Sequence, residues 1–92
     1  MPILSDSDVG LRLEGLEGWS RGGQEIKKQF KLKNFIESVG FVNKIAILAE
    51  KADHHPDILI EYSKVTVTLS THSEGGITEK DFNLAQEIED LR

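Results

Sequence analysis

All three histidines of this chain fall in two short segments, Asp53-His54-His55-Pro56-Asp57 and Ser70-Thr71-His72. There is no cysteine, so imidazole is the only side chain here that ordinarily titrates near neutral pH. A histidine with its usual pKa of about 6.5 gives or takes a proton at working pH. Two or three of them around one pocket would hold both the acid and the base that a proton-coupled elimination requires. Glu50 lies one helical turn ahead of His54, where it could fix the tautomer of that ring. Two other readings compete. The adjacent pair could merely satisfy backbone groups at a helix exit, which is the favoured reading for an arbitrary His-His pair. Alternatively, the three histidines with Asp53 or Asp57 could bind zinc. Neighbouring residues seldom aim both rings at one ion, however, and no His-x-x-x-His spacing occurs, so no metal site is assigned.

The elements that must position these segments can be read in order. Met1 to Leu4 is expected to be loose or lightly docked. Ser5 or Ser7 caps a short helix whose Val9, Leu13 and Leu16 face a core. Trp19 opens a strand, Gly22-Gly23 forms a hairpin turn, and from Gln24 the chain alternates. Ile26, Lys28, Phe30 and Leu32 lie on one side and Lys27, Gln29 and Lys31 on the other, the period of a strand. Lys28 on the apolar side is expected to snorkel out at the rim. Asn34 caps a long helix with an inward stripe of Phe35, Val39, Val42, Ala46 and Ala49, flanked by Ile36, Ile45 and Leu48. Asp53 and Pro56 end it, which puts the histidine pair in the exit loop. Ile58, Ile60 and Tyr62 mark a third strand, Ser63-Lys64 a tight connection, and Val65, Val67, Leu69 and Thr71 a fourth strand with His72 on its opposite face. Thr78 with Asp81 three residues on has the form of a capping box for a last helix carrying Phe82, Leu84, Ala85, Ile88 and Leu91. The spacing explains Asp81 as a cap without any chemical role. Tyr62 and Trp19 read as sheet or packing residues. The order α-β-β-α-β-β-α predicts an α+β fold: a four-stranded antiparallel sheet with helices on one face.

Composition bounds the rest. Ninety-two residues with 38% hydrophobic content suit one domain, spanning 1–92, with a limited core. Small size and open sheet edges favour self-association. A net charge of −5 argues against general nucleic-acid affinity. The basic strip Lys27, Lys28, Lys31 and Lys33 reads as a solvated face. The chain carries no membrane-length apolar run and no signal-like N-terminus, and the missing cysteines fit a reducing, cytoplasmic setting.

Glu50-Lys51-Ala52-Asp53-His54-His55-Pro56, Tyr62, Leu69-Ser70-Thr71-His72 and Asp81 together resemble the signature of the pterin-4a-carbinolamine dehydratases. The resemblance runs from about Trp19 to the C-terminus, including Gly40-Phe41 and Asn83-Leu84-Ala85. It implies a hydro-lyase, a 4a-hydroxytetrahydrobiopterin dehydratase, converting a 4a-hydroxytetrahydropterin to the quinonoid dihydropterin and water in pterin recycling. No metal or organic cofactor is implied. The matching positions suggest His54 and His72 as acid and base and His55 as a group that holds the pterin. Glu50, Asp53, Pro56, Ile58, Ser70, Thr71 and Asp81 would bind or support. The family commonly has tryptophan where this chain has Ile58, so an aliphatic contact would replace an indole wall. The resemblance further implies sheets paired edge to edge in a homodimer, with helix-mediated homotetramers in some members. It also carries an alternative: a non-catalytic protein-binding module on the same fold, acting as a dimerisation cofactor of a homeodomain transcription factor or as a Rubisco-assembly factor.

Overall fold

In the computed structural model, which describes residues 2–92, the first element is a helix, α1 (Asp6–Glu14). Ser5 caps it, its side chain accepting from Asp8 N–H at 3.2 Å. Strands β1 (Ser20–Gly22) and β2 (Glu25–Lys31) follow, then the long helix α2 (Phe35–Ala52), strands β3 (Asp57–Glu61) and β4 (Lys64–Leu69), and helix α3 (Glu79–Glu89). The order is the expected α-β-β-α-β-β-α. All strand pairs are antiparallel, and the sheet order is β1-β2-β4-β3, so the two hairpins meet along β2 and β4. Of the N-terminal residues expected to be lightly docked, Met1 lies outside the described residues. Leu4 N–H donates to the Ile77 carbonyl at 2.9 Å.

The core is built by strand alternation. Ile26 and Phe30 of β2 and Val65, Val67 and Leu69 of β4 are buried with Phe41 and Ile45 of α2 and Phe82, Leu84, Ala85 and Ile88 of α3. Thr66, Thr68, Lys27 and Gln29 take the opposite face. Phe30 anchors the middle, with Trp19 edge-on at 6.1 Å and Phe41 at 5.0 Å between ring centroids.

Three expectations are corrected. The inward face of α2 is Ser38, Phe41, Ile45 and Ala49, with Val42 and Leu48 half-buried, whereas Phe35, Val39 and Ala46 are exposed. Ile36 is 81% exposed and Ile47 67%. This helix is apolar most of the way round, so periodicity alone cannot fix which side faces the sheet. Ser38 can turn inward because its hydroxyl donates to the Asn34 carbonyl at 3.1 Å. Tyr62 is not in the strand: it is exposed at the tip of the β3–β4 hairpin with φ of 58°, the two-residue turn being Tyr62-Ser63. Lys28 does not reach out at the rim. Its ammonium donates to the Glu17 carbonyl at 2.9 Å and pairs with Glu89 of α3, whose carboxylate also accepts from the indole of Trp19 at 3.0 Å.

No helix among the described residues is long and apolar enough to cross a membrane.

Candidate active site

Helix α2 stops at Asp53, which adopts a left-handed conformation with φ of 51° and ψ of 44° and returns its N–H to the carbonyls of Ala49 and Glu50. This single residue redirects the chain before Pro56 and β3. His54 N–H still bonds the Ala49 carbonyl at 3.0 Å, and its side chain turns under the helix end, leaving the residue 8% exposed. His55 turns the other way and stays exposed.

The outward turn overturns one expectation. Glu50 was placed to act on His54 by helical spacing, but it pairs with Nε2 of His55. The i,i+4 relation fails because His54 has already left the helix.

What meets His54 is Asp81. This carboxylate is wholly buried, and Oδ1 lies 2.6 Å from His54 Nε2. Oδ2 accepts from Thr71 Oγ1 at 2.9 Å and from Thr78 N–H at 2.9 Å. Asp81 is therefore both the capping-box residue of α3 and the partner of His54, so the two readings of its spacing hold together.

The second segment is delivered by β4. Beyond Leu69 the alternation continues: Ser70 half-buried, Thr71 buried and His72 exposed. Thr71 N–H takes the Gly76 carbonyl at 2.9 Å, closing a tight turn over residues 72–75 in which Gly75 has φ of 75°. The Ser70 hydroxyl is spent on the Gln24 carbonyl at 2.7 Å, tying this strand end to the first hairpin.

His54, His55 and His72 thus line one hollow of about 270 Å³, together with Asp53, Ser70, Thr71, Ser73 and Lys80. The two distant segments, and both neighbouring rings, reach the same cavity. Glu50, Pro56, Ile58 and Asp81 do not line it. Glu50 acts on it through His55, and Asp81 through His54 and Thr71. Ile58 faces the helices from β3 and packs on the core, so it does not stand in for an aromatic wall. Ser73 and Lys80 were not anticipated. Lys80 is the residue before Asp81, and its adjacency to an acid already suspected was the one available signal.

Chemically the hollow offers imidazoles for proton exchange, an ammonium and backbone around them, and a buried carboxylate that orients one ring. Among the described residues no group of three or more His, Asp or Glu side chains is arranged to hold a metal ion.

Comparisons with known proteins show which family the chain resembles. The family described as pterin 4 alpha carbinolamine dehydratase matches residues 2–91. A protein of Sulfolobus acidocaldarius, provisionally named a pterin-4-alpha-carbinolamine dehydratase, is 51% identical over 89 residues, covering 97% of this chain and 98% of its own length. One of Roseiflexus castenholzii with the same provisional name is 49% identical over 89 residues, covering 97% and 96%. Among solved structures, a transcriptional coactivator/pterin dehydratase from Brucella melitensis superposes with a TM-score of 0.93 at 40% identity over 97% of both chains. A pterin dehydratase-like protein identified as a RuBisCO assembly factor in the alpha-carboxysome shares the fold, with a TM-score of 0.68 at 23% identity, covering 82% of this chain and 89% of its own. The full-length family match, the identity of the relatives and the common fold together place this chain in the pterin 4 alpha carbinolamine dehydratase family.

Proposed function

We propose that this protein dehydrates a 4a-hydroxytetrahydropterin to the quinonoid dihydropterin, in the service of pterin recycling. The observation that carries the reading is the convergence of His54, His55 and His72 on one hollow, with His54 backed by a buried carboxylate. In the reaction the N5 lone pair forms the second C4a–N5 bond as the C4a–O bond breaks. The hydroxyl leaves with an added proton as water, and the N5–H proton passes to a base. One proton is given and one is taken, so two imidazoles balance the chemistry and no metal or organic cofactor is called for. His54 and His72 are the acid–base pair in this reading. His55, held by Glu50 at the rim, binds the pterin by hydrogen bonds. General acid–base help of this kind is typically worth about 10²–10⁴-fold.

The test is a direct assay of carbinolamine dehydration against the spontaneous rate. Acceleration is expected for the wild-type protein, and near-complete loss of it for His54→Ala and for His72→Ala. A wild-type protein that leaves the spontaneous rate unchanged ends the proposal.

A second reading, a protein-binding module, is favoured by the apolar side of α2, where Phe35, Ile36, Val39 and Ile47 are exposed. The coactivator and assembly-factor roles in the names of two structural relatives point the same way. Self-association into a homodimer or homotetramer would use that face or the open edges of β1 and β3. Stoichiometric capture of a partner that survives His→Ala substitution, and is lost in Ile36→Asp, would favour this role over catalysis.

A further inference from the structure

Asp81 is held by hydrogen bonds from both sides of the α3 cap, and the donors around it favour one assignment of protons. Lys80 N–H donates to Thr78 Oγ1 at 3.2 Å. The Thr71 hydroxyl donates to Asp81 Oδ2, so in the 2.7 Å contact between the two threonine hydroxyls the proton must come from Thr78. Thr78 N–H occupies the same carboxylate oxygen. Every group on Oδ2 is a donor, which suits a carboxyl group accepting at both oxygens, and in that arrangement His54 Nε2 presents its N–H to Oδ1. The other ring nitrogen, Nδ1, has no protein partner, and no buried side-chain nitrogen or oxygen among the described residues is unpaired, so Nδ1 reaches solvent.

We infer that the Thr78–Thr71 hydroxyl chain positions Asp81 and through it holds His54 as the Nε2–H tautomer, leaving Nδ1 as the atom that exchanges protons with substrate. Thr71 lies two residues beyond β4 and Thr78 is the cap of α3, so Oδ2 is held by donors from two separate segments. Without the Thr71 hydroxyl, Oδ2 keeps only one donor and the plane of the carboxylate is free to turn. Thr71 and Thr78 are positioning residues: they act on the ring through Asp81. Hydrogen-bonding partners behind a functional histidine set its tautomer and orientation. The kinetic arm of the test rests on the dehydratase reading, and the spectroscopic arm does not.

The experiment is nitrogen-15 NMR of the histidine rings, at a pH where His54 is neutral, beside steady-state kinetics of Thr71→Val and Thr71→Ser. The wild-type protein is expected to show the Nε2–H tautomer at His54. Thr71→Val, which keeps the shape and loses the hydroxyl, should admit the Nδ1–H tautomer and lower kcat about tenfold with KM within about twofold. Thr71→Ser should restore both. An unchanged tautomer and kcat in Thr71→Val, or a serine variant as impaired as the valine one, overturns the inference. Should Thr71→Val fail to fold, the wild-type spectrum decides, because an Nδ1–H tautomer there overturns it outright. A tautomer shift in a protein without dehydratase activity supports the positioning role and sinks the function alone.

Discussion

The carboxylate of Asp81 lies 2.6 Å from Nε2 of His54, across 27 residues of sequence, and neither group is appreciably exposed. The contact joins the exit of α2 to the entry of α3, so the site and the packing of two helices depend on one acid.

Asp81→Asn keeps the shape and exchanges one acceptor oxygen for a donor. With its oxygen on the Thr71 and Thr78 donors, the amide turns its NH₂ to His54 Nε2, which accepts it only as the Nδ1–H tautomer. Dehydration is expected to fall by about 10²-fold or more because the ring is held in the other tautomer, and stability by only about 1 kcal/mol, since every buried group keeps a partner. Kinetics and urea unfolding of the same sample check both.

Glu50→Gln is expected to be mild by comparison. Glu50 and His55 are both largely solvent-exposed, and ion pairs of that kind contribute about 0–1 kcal/mol. The unfolding midpoint should barely move, and kcat/KM should drop only a few-fold. A loss as large as that of His54→Ala would show that Glu50 has a role beyond holding His55.

Lys80 lines the hollow and has no salt-bridge partner among the described residues. In the proposed dehydratase its ammonium would donate to a carbonyl of the bound pterin. Lys80→Met should therefore raise KM about threefold to tenfold with kcat held within about twofold, the pattern of lost uniform binding. A change in kcat alone would assign the lysine to the chemical step instead.

Away from the site, Glu89 serves both Lys28 and the indole of Trp19, and the side chains of the pair are only 16% and 20% exposed. Glu89→Leu strands both donors and should cost about 1–3 kcal/mol. Adding Lys28→Met should recover only part of that loss, because the ammonium is gone but the Trp19 indole and the Glu17 carbonyl stay without their partners. Urea unfolding followed by the fluorescence of Trp19, the only tryptophan, reads the series.

Much of this was legible in the order of residues. Period-two alternation located β2, β3 and β4 and put Thr71 inward and His72 outward, because a strand admits no other pattern. Asn34 and Thr78 announced two helix starts through side-chain oxygens that accept the first free N–H groups, and of Ser5 and Ser7 it is Ser5 that caps the first. Other features were decided by tertiary contacts that local sequence does not carry. The phase of α2 depended on what packs against it, since Phe35 and Phe41 are equally apolar and only one is buried. Glu50 went to His55 because Asp53 breaks the helical register, which spacing along an assumed helix cannot foresee. Lys28 ended on Glu89, a residue 61 positions away, and Lys80 joined the hollow only through the meeting of α3 with the two histidine segments.

The left-handed residue at Asp53 also sets a phase. Two adjacent imidazoles leave an extended backbone on opposite sides, so the point at which the helix ends decides which ring is sheltered and which faces water. Deleting Asp53 would exchange their seats, giving His55 the berth beneath the helix and sending His54 outside. The interval from helix stop to proline is therefore a ruler, and its length, as much as the identity of the histidines, selects the ring that meets the buried acid.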